Sequence, residues 1–238
     1  MITINKTTDP RWPTLFRGRD VSSIKKLDRS GESIDEVRFD GDPSLLLQPG
    51  TPRVLIIGTR DASPYGRETT GRIVEALAHS ALRPVILSGL AIGIDGIAHA
   101  RALEAGLPQV AVLPTGLDAI YPYAHRQLAE FIKDAEHSCL ATMFPDGTSP
   151  LPINFLVRNA LMAAMADLVI VVETKRKGGA IVTARYAAEW DIPVLAVPGR
   201  IDDARSQGCN ELIESGIATM LTDPDHLEKA LQKHFIHD

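Results

Sequence analysis

No apolar run among these 238 residues approaches the roughly 20 needed to span a bilayer. The N-terminal stretch MITINKTTDPRW also lacks the charged-then-apolar pattern of a secretory signal, so the chain is expected in the cytoplasm and away from membranes. Cysteine is scarce. Cys139 and Cys209 have neither metal-ligand spacing nor the number for a disulfide framework, which suits a reducing compartment. The seven histidines are scattered, with no H-E-x-x-H and no Cys/His cluster, so no metal centre is expected. A G-x-S-x-G elbow is missing too, and no other nucleophile constellation replaces it. Long Lys/Arg runs are absent, and the net charge is -5 with a sequence pI near 5.8. That balance excludes a surface coated in basic residues, so any affinity for nucleic acid must come from cations that the fold gathers into one pocket. No internal repeat or low-complexity tract interrupts the pattern.

What is present is a globular composition, with 45% hydrophobic residues, enough to bury a full core. Residues 1–50 are rich in Asp, Arg, Ser and Gly and show little periodicity, apart from a short helix expected at Val21 to Leu27. They read as an irregular N-terminal extension that ends at Pro49, Gly50 and Pro52. Residues 51–238 follow a different rule. Short apolar or β-branched runs alternate with helix-length segments, the pattern of a parallel sheet with crossover helices. Strands are expected at Val54 to Ile57, Pro84 to Ser88, Gln109 to Leu113, Ser138 to Met143, Leu168 to Val172 and Pro193 to Val197. Helices are expected at Gly66 to His79, Ile94 to Ala105, Pro122 to Lys133, Asn154 to Ala166, Ala180 to Glu189 and Gly208 to Glu214. A short strand at Ile217 to Leu221 and an amphipathic helix at Pro224 to Phe235 close the chain. Right-handed crossovers place the loops after the strands along one edge of the sheet, where a ligand is expected.

The central stretch is LSGLAIGID, Leu87 to Asp95, a strand, glycine turn and helix start. Free backbone N–H groups and the helix macrodipole favour an anion there, with phosphate the natural guest; the alternative is a turn in which glycine only permits close packing. Asp95 reads as a favourable first-turn charge and His99 as a packed helix residue. In the loop after the first strand, Arg60 is either a surface arginine or one that reaches an anion. Tyr121 either packs against the fold or stacks on a base. Arg158 opens a helix whose remainder, ALMAAMA, is wholly apolar, so it must pair with a carboxylate or face a ligand. Lys175, Arg176 and Lys177 stand directly before Gly178 and Gly179 at a further helix start, which either joins cations to a glycine-rich turn that attracts an anion or is a solvated basic turn.

Several of these pieces, taken in order, resemble the DprA/Smf family of DNA-processing proteins. They are GTR at Gly58 to Arg60, SGLAIGIDGIAH at Ser88 to His99, AVLPTGLDAIYP at Ala111 to Pro122 and RN at Arg158 and Asn159. GGAIVTARYAAE at Gly178 to Glu189, AVPG at Ala196 to Gly199 and GCNELIESG at Gly208 to Gly216 continue the likeness. It runs from about Arg53 to Ala218. The resemblance implies an extended Rossmann-like fold, a mainly parallel sheet with helices on both faces. It also implies single-stranded DNA binding in a basic pocket and loading of a RecA-type recombinase during DNA uptake and natural transformation. No catalytic residue and no cofactor are implied, so the protein is expected not to be an enzyme, and a homodimer is suggested. By that likeness Arg60, Arg158 and Lys175 are the phosphate contacts. Ser88, Gly89 and Gly93 line the pocket, Asn159, Lys177, Gly178 and Gly179 complete it, and Tyr121 is the stacking candidate. The chain departs from the family pattern at Ile92 and Ala160, where arginine is usual, and at Gly178, where serine is usual. The winged-helix-like C-terminal domain of many members is not expected within these residues, which run only a short way past the likeness. Two other readings stand beside this one: a Rossmann-like enzyme of the nucleotide phosphoribohydrolase kind, and a module that senses a small phosphate ligand. The first calls for a glutamate three residues after a G-T pair, whereas Thr183 is followed by Ala184, Arg185 and Tyr186.

Overall fold

Each apolar run in the middle of the chain is too short for a helix and is buried on both faces, so it becomes a strand sandwiched between helix layers. A computed structural model describes residues 1–22, 24 and 34–235. Among them the strands are β1 (Ile2–Asn5), β2 (Glu36–Gly41), β3 (Arg53–Ile57), β4 (Val85–Ser88), β5 (Gln109–Val112), β6 (Cys139–Thr142), β7 (Leu168–Val171), β8 (Val194–Ala196) and β9 (Thr219–Met220). The helices are α1 (Trp12–Leu15), α2 (Pro64–His79), α3 (Ile94–Glu104), α4 (Arg126–Asp134), α5 (Pro152–Met165), α6 (Gly179–Glu189), α7 (Gln207–Glu214) and α8 (Leu227–Phe235). The strands form one mixed sheet in the order β1-β2-β6-β5-β4-β3-β7-β8-β9. All pairings from β6 through β9 are parallel. This is the expected Rossmann-like architecture.

Alternation along β3 explains the layers. Val54 and Ile56 face one core with α2, α3 and α8, while Leu55 and Ile57 face the other with α5 and α6. From β3 the chain winds outward through β4, β5 and β6, then returns to the other side of β3 as β7 and winds outward again. The loops leaving β3 and β7 therefore diverge at a topological switch point, where doubly wound sheets open a crevice.

Residues 1–50 depart from the irregular extension expected for them. β1 pairs antiparallel with β2, and β2 with β6, so the segment adds two strands to the sheet. The reason is a period-2 pattern in EVRFDG: Val37 and Phe39 are buried, and Glu36, Arg38 and Asp40 between them are half-buried. The helix expected at Val21 to Leu27 falls mostly outside the described residues. Trp12, Leu15 and Phe16 from the same segment are buried in the core that holds α5. The apolar helix thus shares its core with this segment as well as with the sheet. Arginines lock the segment in place. Arg53, fully buried, donates to Leu15 O at 2.7 Å, Thr14 O at 2.9 Å and Leu46 O. Its guanidinium is pulled down to about 9, first by burial and then by Arg17. Asp167 accepts Arg17 Nε at 2.9 Å and Nη2 at 2.8 Å together with the Arg53 backbone N–H at 3.0 Å. Arg19 closes the last turn of α5 by donating to Ala164 O and Ala166 O.

Two smaller differences follow from local geometry. The helix expected from Pro122 is a 3-10 turn, Tyr123–His125, before α4 begins, and the last strand shortens to β9. Among the described residues no helix is long and apolar enough to cross a membrane.

Candidate functional site

The crevice at the switch point has a volume of about 470 Å3. Four segments wall it. The loop after β3 brings Thr59, Arg60 and Asp61, the glycine loop and first turn of α3 bring Ala91 and Asp95, the first turns of α5 bring Phe155, Arg158 and Asn159, and the loop after β7 brings Lys175, Lys177, Gly178 and Gly179. A small cavity adjoins it, shares Arg60, Phe155 and Arg158, and adds Gly89, Ile92 and Tyr121. Residues distant in sequence are thus placed on one wall because β3 and β7 are neighbours in the sheet.

Phe155 sits at the junction. The Arg60 guanidinium lies 5.1 Å from its ring centroid and that of Arg158 5.8 Å, while the Tyr121 ring meets it edge-on at 5.6 Å. A ring between two cations and a second aromatic is a surface on which a planar group can stack. Sequence reading passed over Phe155. The signal was its position three residues before Arg158, on the same helix face.

Arg158, only 4% exposed, borders the crevice, and its charge acts on the neighbouring Asp95 carboxyl without a direct ion pair between these two described residues. Its Nη1 donates to Val112 O at 3.2 Å, and its buried Nε has no partner among the described residues. Burial pulls the guanidinium down to about 10, against the pull of Asp95. Asp95, itself buried, is pushed up by desolvation, and Arg158 with the backbone N–H groups of Gly58, Gly89 and Ala91 works in the opposite direction. The Gly89 N–H donates to Asp95 Oδ2 at 3.2 Å.

The glycine-loop cradle expected to hold phosphate is therefore satisfied by a carboxylate of the chain. Ser88 is fully buried and its hydroxyl donates to Ile56 O at 2.6 Å. Gly93, at φ 93°, backs onto the Thr59 carbonyl and the Arg60 backbone with no space for a side chain. Arg60, Arg158, Asn159, Lys175, Lys177, Gly178 and Gly179 line the crevice, whereas Gly89 and Tyr121 line the adjoining cavity; Ser88 and Gly93 line neither. Gly89 has a clear structural requirement: a Cβ there would fall inside the Arg158 guanidinium. Gly89→Ala is expected to cost about 1–3 kcal/mol of stability, read as a lower denaturant midpoint, because that buried charge must move.

Glu173 is a second residue that the sequence reading missed. It is 1% exposed; its carboxylate accepts the Ser63 N–H at 3.0 Å and the Ser63 hydroxyl, and its backbone carbonyl accepts the Thr59 N–H at 2.6 Å. It pins the Arg60 loop to the loop that carries Lys175. His99 packs as expected. Fully buried, it bonds the Gln109 amide through Nδ1 at 2.7 Å, and burial pulls it down to about 4, so it stays neutral at physiological pH. At the departures from the family pattern, Ala160 lies in the core and Ile92 stands half exposed on the cavity rim. Position 160 therefore adds nothing to the crevice wall in this chain.

These features define a Rossmann-like α/β protein with cations and aromatic rings converging at its strand switch point. Residues 29–232 match the model of the family described as DNA recombination-mediator protein A, and the chain belongs to that family. It is 37% identical over 176 residues to the DNA processing protein DprA of Streptococcus pneumoniae, covering 74% of this chain and 61% of that one. The X-ray structure of the S. pneumoniae protein superposes with a TM-score of 0.80 at 29% identity, covering 100% of this chain and 75% of the other. Protein Smf of Synechocystis is 39% identical over 172 residues, 72% of this chain but 42% of its own length. A structure of DNA processing protein A from Helicobacter pylori, described by its single-stranded DNA binding mode, gives a TM-score of 0.76 at 29% identity, covering 91% of this chain and 95% of that one. The chain thus spans between about two fifths and three fifths of the lengths of the first two relatives.

Proposed function

We propose that this protein binds single-stranded DNA in the crevice and passes the strand to a RecA-type recombinase during DNA uptake and natural transformation, acting in the cytoplasm as a homodimer and without a catalytic step. The observation that carries the reading is the convergence of Arg60, Arg158, Lys175 and Lys177 around Phe155 and Tyr121. Cations take the phosphates, Asn159 and the Gly178–Gly179 start of α6 add polar contacts, and the rings take bases without regard to sequence. The single-stranded DNA binding mode in the description of the H. pylori protein and the mediator description of the family support it. Concentrating the cations in one crevice is compatible with a net charge of -5.

The test is fluorescence anisotropy of a labelled oligothymidine at low and physiological salt. Wild-type affinity is expected to fall steeply with salt, and Lys175→Ala to reduce the slope of log K against log salt by about 0.7. Arg60→Ala, which removes a charge beside Phe155, is expected to weaken binding about tenfold. Salt-independent affinity that ignores both substitutions would overturn the reading. A volume of about 470 Å3 is also the size of a small-molecule site, which favours the nucleotide-binding alternative as the second reading. Tight binding of a nucleoside monophosphate with no affinity for the oligonucleotide would select it, and release of free base would make it an enzyme.

A further inference from the structure

The way out of the crevice is as informative as its walls. Ile92, on the rim of the small cavity, is at the same time a wall of an open groove of about 620 Å3 between α3 and α4. Ile97, Ala100 and Leu128 give that groove an apolar lining. Two large apolar side chains on it stand in water, Ile92 at 50% and Phe131 at 55% exposure. The groove is lined by one carboxylate and one arginine. Its carboxylate, Glu104, is held by Arg101 at 2.8 Å, whereas Arg67, on the second turn of α2, is exposed and has no side-chain partner among the described residues.

An aromatic face, an apolar lining and an uncancelled cation, continuous with a cationic crevice, form a path suited to bases and phosphates rather than to an acidic or purely apolar partner. We infer that a single strand leaving the crevice runs past Ile92 into the α3–α4 groove, where Phe131 stacks a base and Arg67 meets a phosphate. This rests on the single-stranded DNA reading of the crevice and extends its footprint.

Two oligothymidines separate the ideas, one of about 6 nucleotides, enough for the crevice, and one of about 16, enough to enter the groove. Phe131→Ala is expected to weaken the long oligonucleotide about tenfold and leave the short one unchanged. Arg67→Ala is expected to weaken only the long one and to lower its salt slope by about 0.7. Both side chains are exposed, so neither substitution opens the core. If wild type and both variants bind the long strand alike while the short strand still binds, the groove is overturned and the crevice reading survives. If neither length binds wild type, both fall. A groove that instead seats a second copy of the chain would show as a shift toward monomer in sedimentation of Phe131→Ala, with both affinities unchanged, and that too overturns the inference.

Discussion

Removal of residues 1–50 is expected to leave a chain that no longer unfolds cooperatively. Trp12, Leu15, Phe16, Val37 and Phe39 are each at most 8% exposed and share a core with α5. At roughly 1.5–3 kcal/mol per side chain, these five account for about 7–15 kcal/mol, as much as the whole stability of an ordinary domain. Two further losses act in the same direction. The Arg53 guanidinium would lose three acceptors, Leu15 O, Thr14 O and Leu46 O, and keep Met165 O at 3.4 Å, so a set of charge-assisted hydrogen bonds disappears with the segment. β6 would become an edge strand with an unpaired ladder, a template for aggregation. Circular dichroism on heating and sedimentation provide the check: a broad or absent transition with aggregated material is expected. A sharp transition near the full-length melting temperature would show that the segment is an appendage after all.

The same segment shows where sequence reasoning stops. The parallel strands β3 to β8 were legible because burial on both faces turns them into apolar runs, and α5 because its second half is entirely apolar. β2 was not, because half of its side chains are charged and half-buried and its alternation lasts only from Glu36 to Asp40. Its pairing with β6 depends on a partner about a hundred residues away, which local pattern cannot supply. The crevice follows the same division. Arg60, Arg158 and Lys175 were visible as cations at strand ends or on an apolar helix. Whether the glycine loop would face a ligand depended on where Asp95 points, and its carboxylate points back into the loop's own N–H groups. Phe155 and Glu173 act through neighbours brought by β3 and β7, so their roles appear only once the sheet order is known.

Arg158→Ala is expected to be the most costly single substitution in the crevice, and its cost is expected to depend on pH. Arg158 is the cation that opposes the desolvation of the buried Asp95 carboxyl, and its own guanidinium bonds Val112 O, so its loss removes both effects at once and is expected to cost several kcal/mol. The sign follows from Asp95. Burial already places its carboxyl above the ordinary range, and losing Arg158 pushes it further up. A carboxyl raised in the folded state holds its proton more tightly there than in the unfolded chain. Stability is therefore greatest below the ordinary carboxylate range and is lost as pH rises through the raised value. Denaturant midpoints of Arg158→Ala should thus lie closer to wild type on the acid side of the Asp95 titration than on its alkaline side, the reverse of a salt-bridged carboxylate. Asp95→Asn in the same chain should flatten that dependence and recover part of the loss, because the uncompensated charge is gone. Strand affinity should stay more than about tenfold below wild type in the double variant, since neutralising Asp95 does not restore the guanidinium beside Phe155. A destabilisation equal at every pH would mean that Arg158 serves packing alone. Recovery of affinity in the double variant would mean that net charge, rather than the placed arginine, governs the crevice.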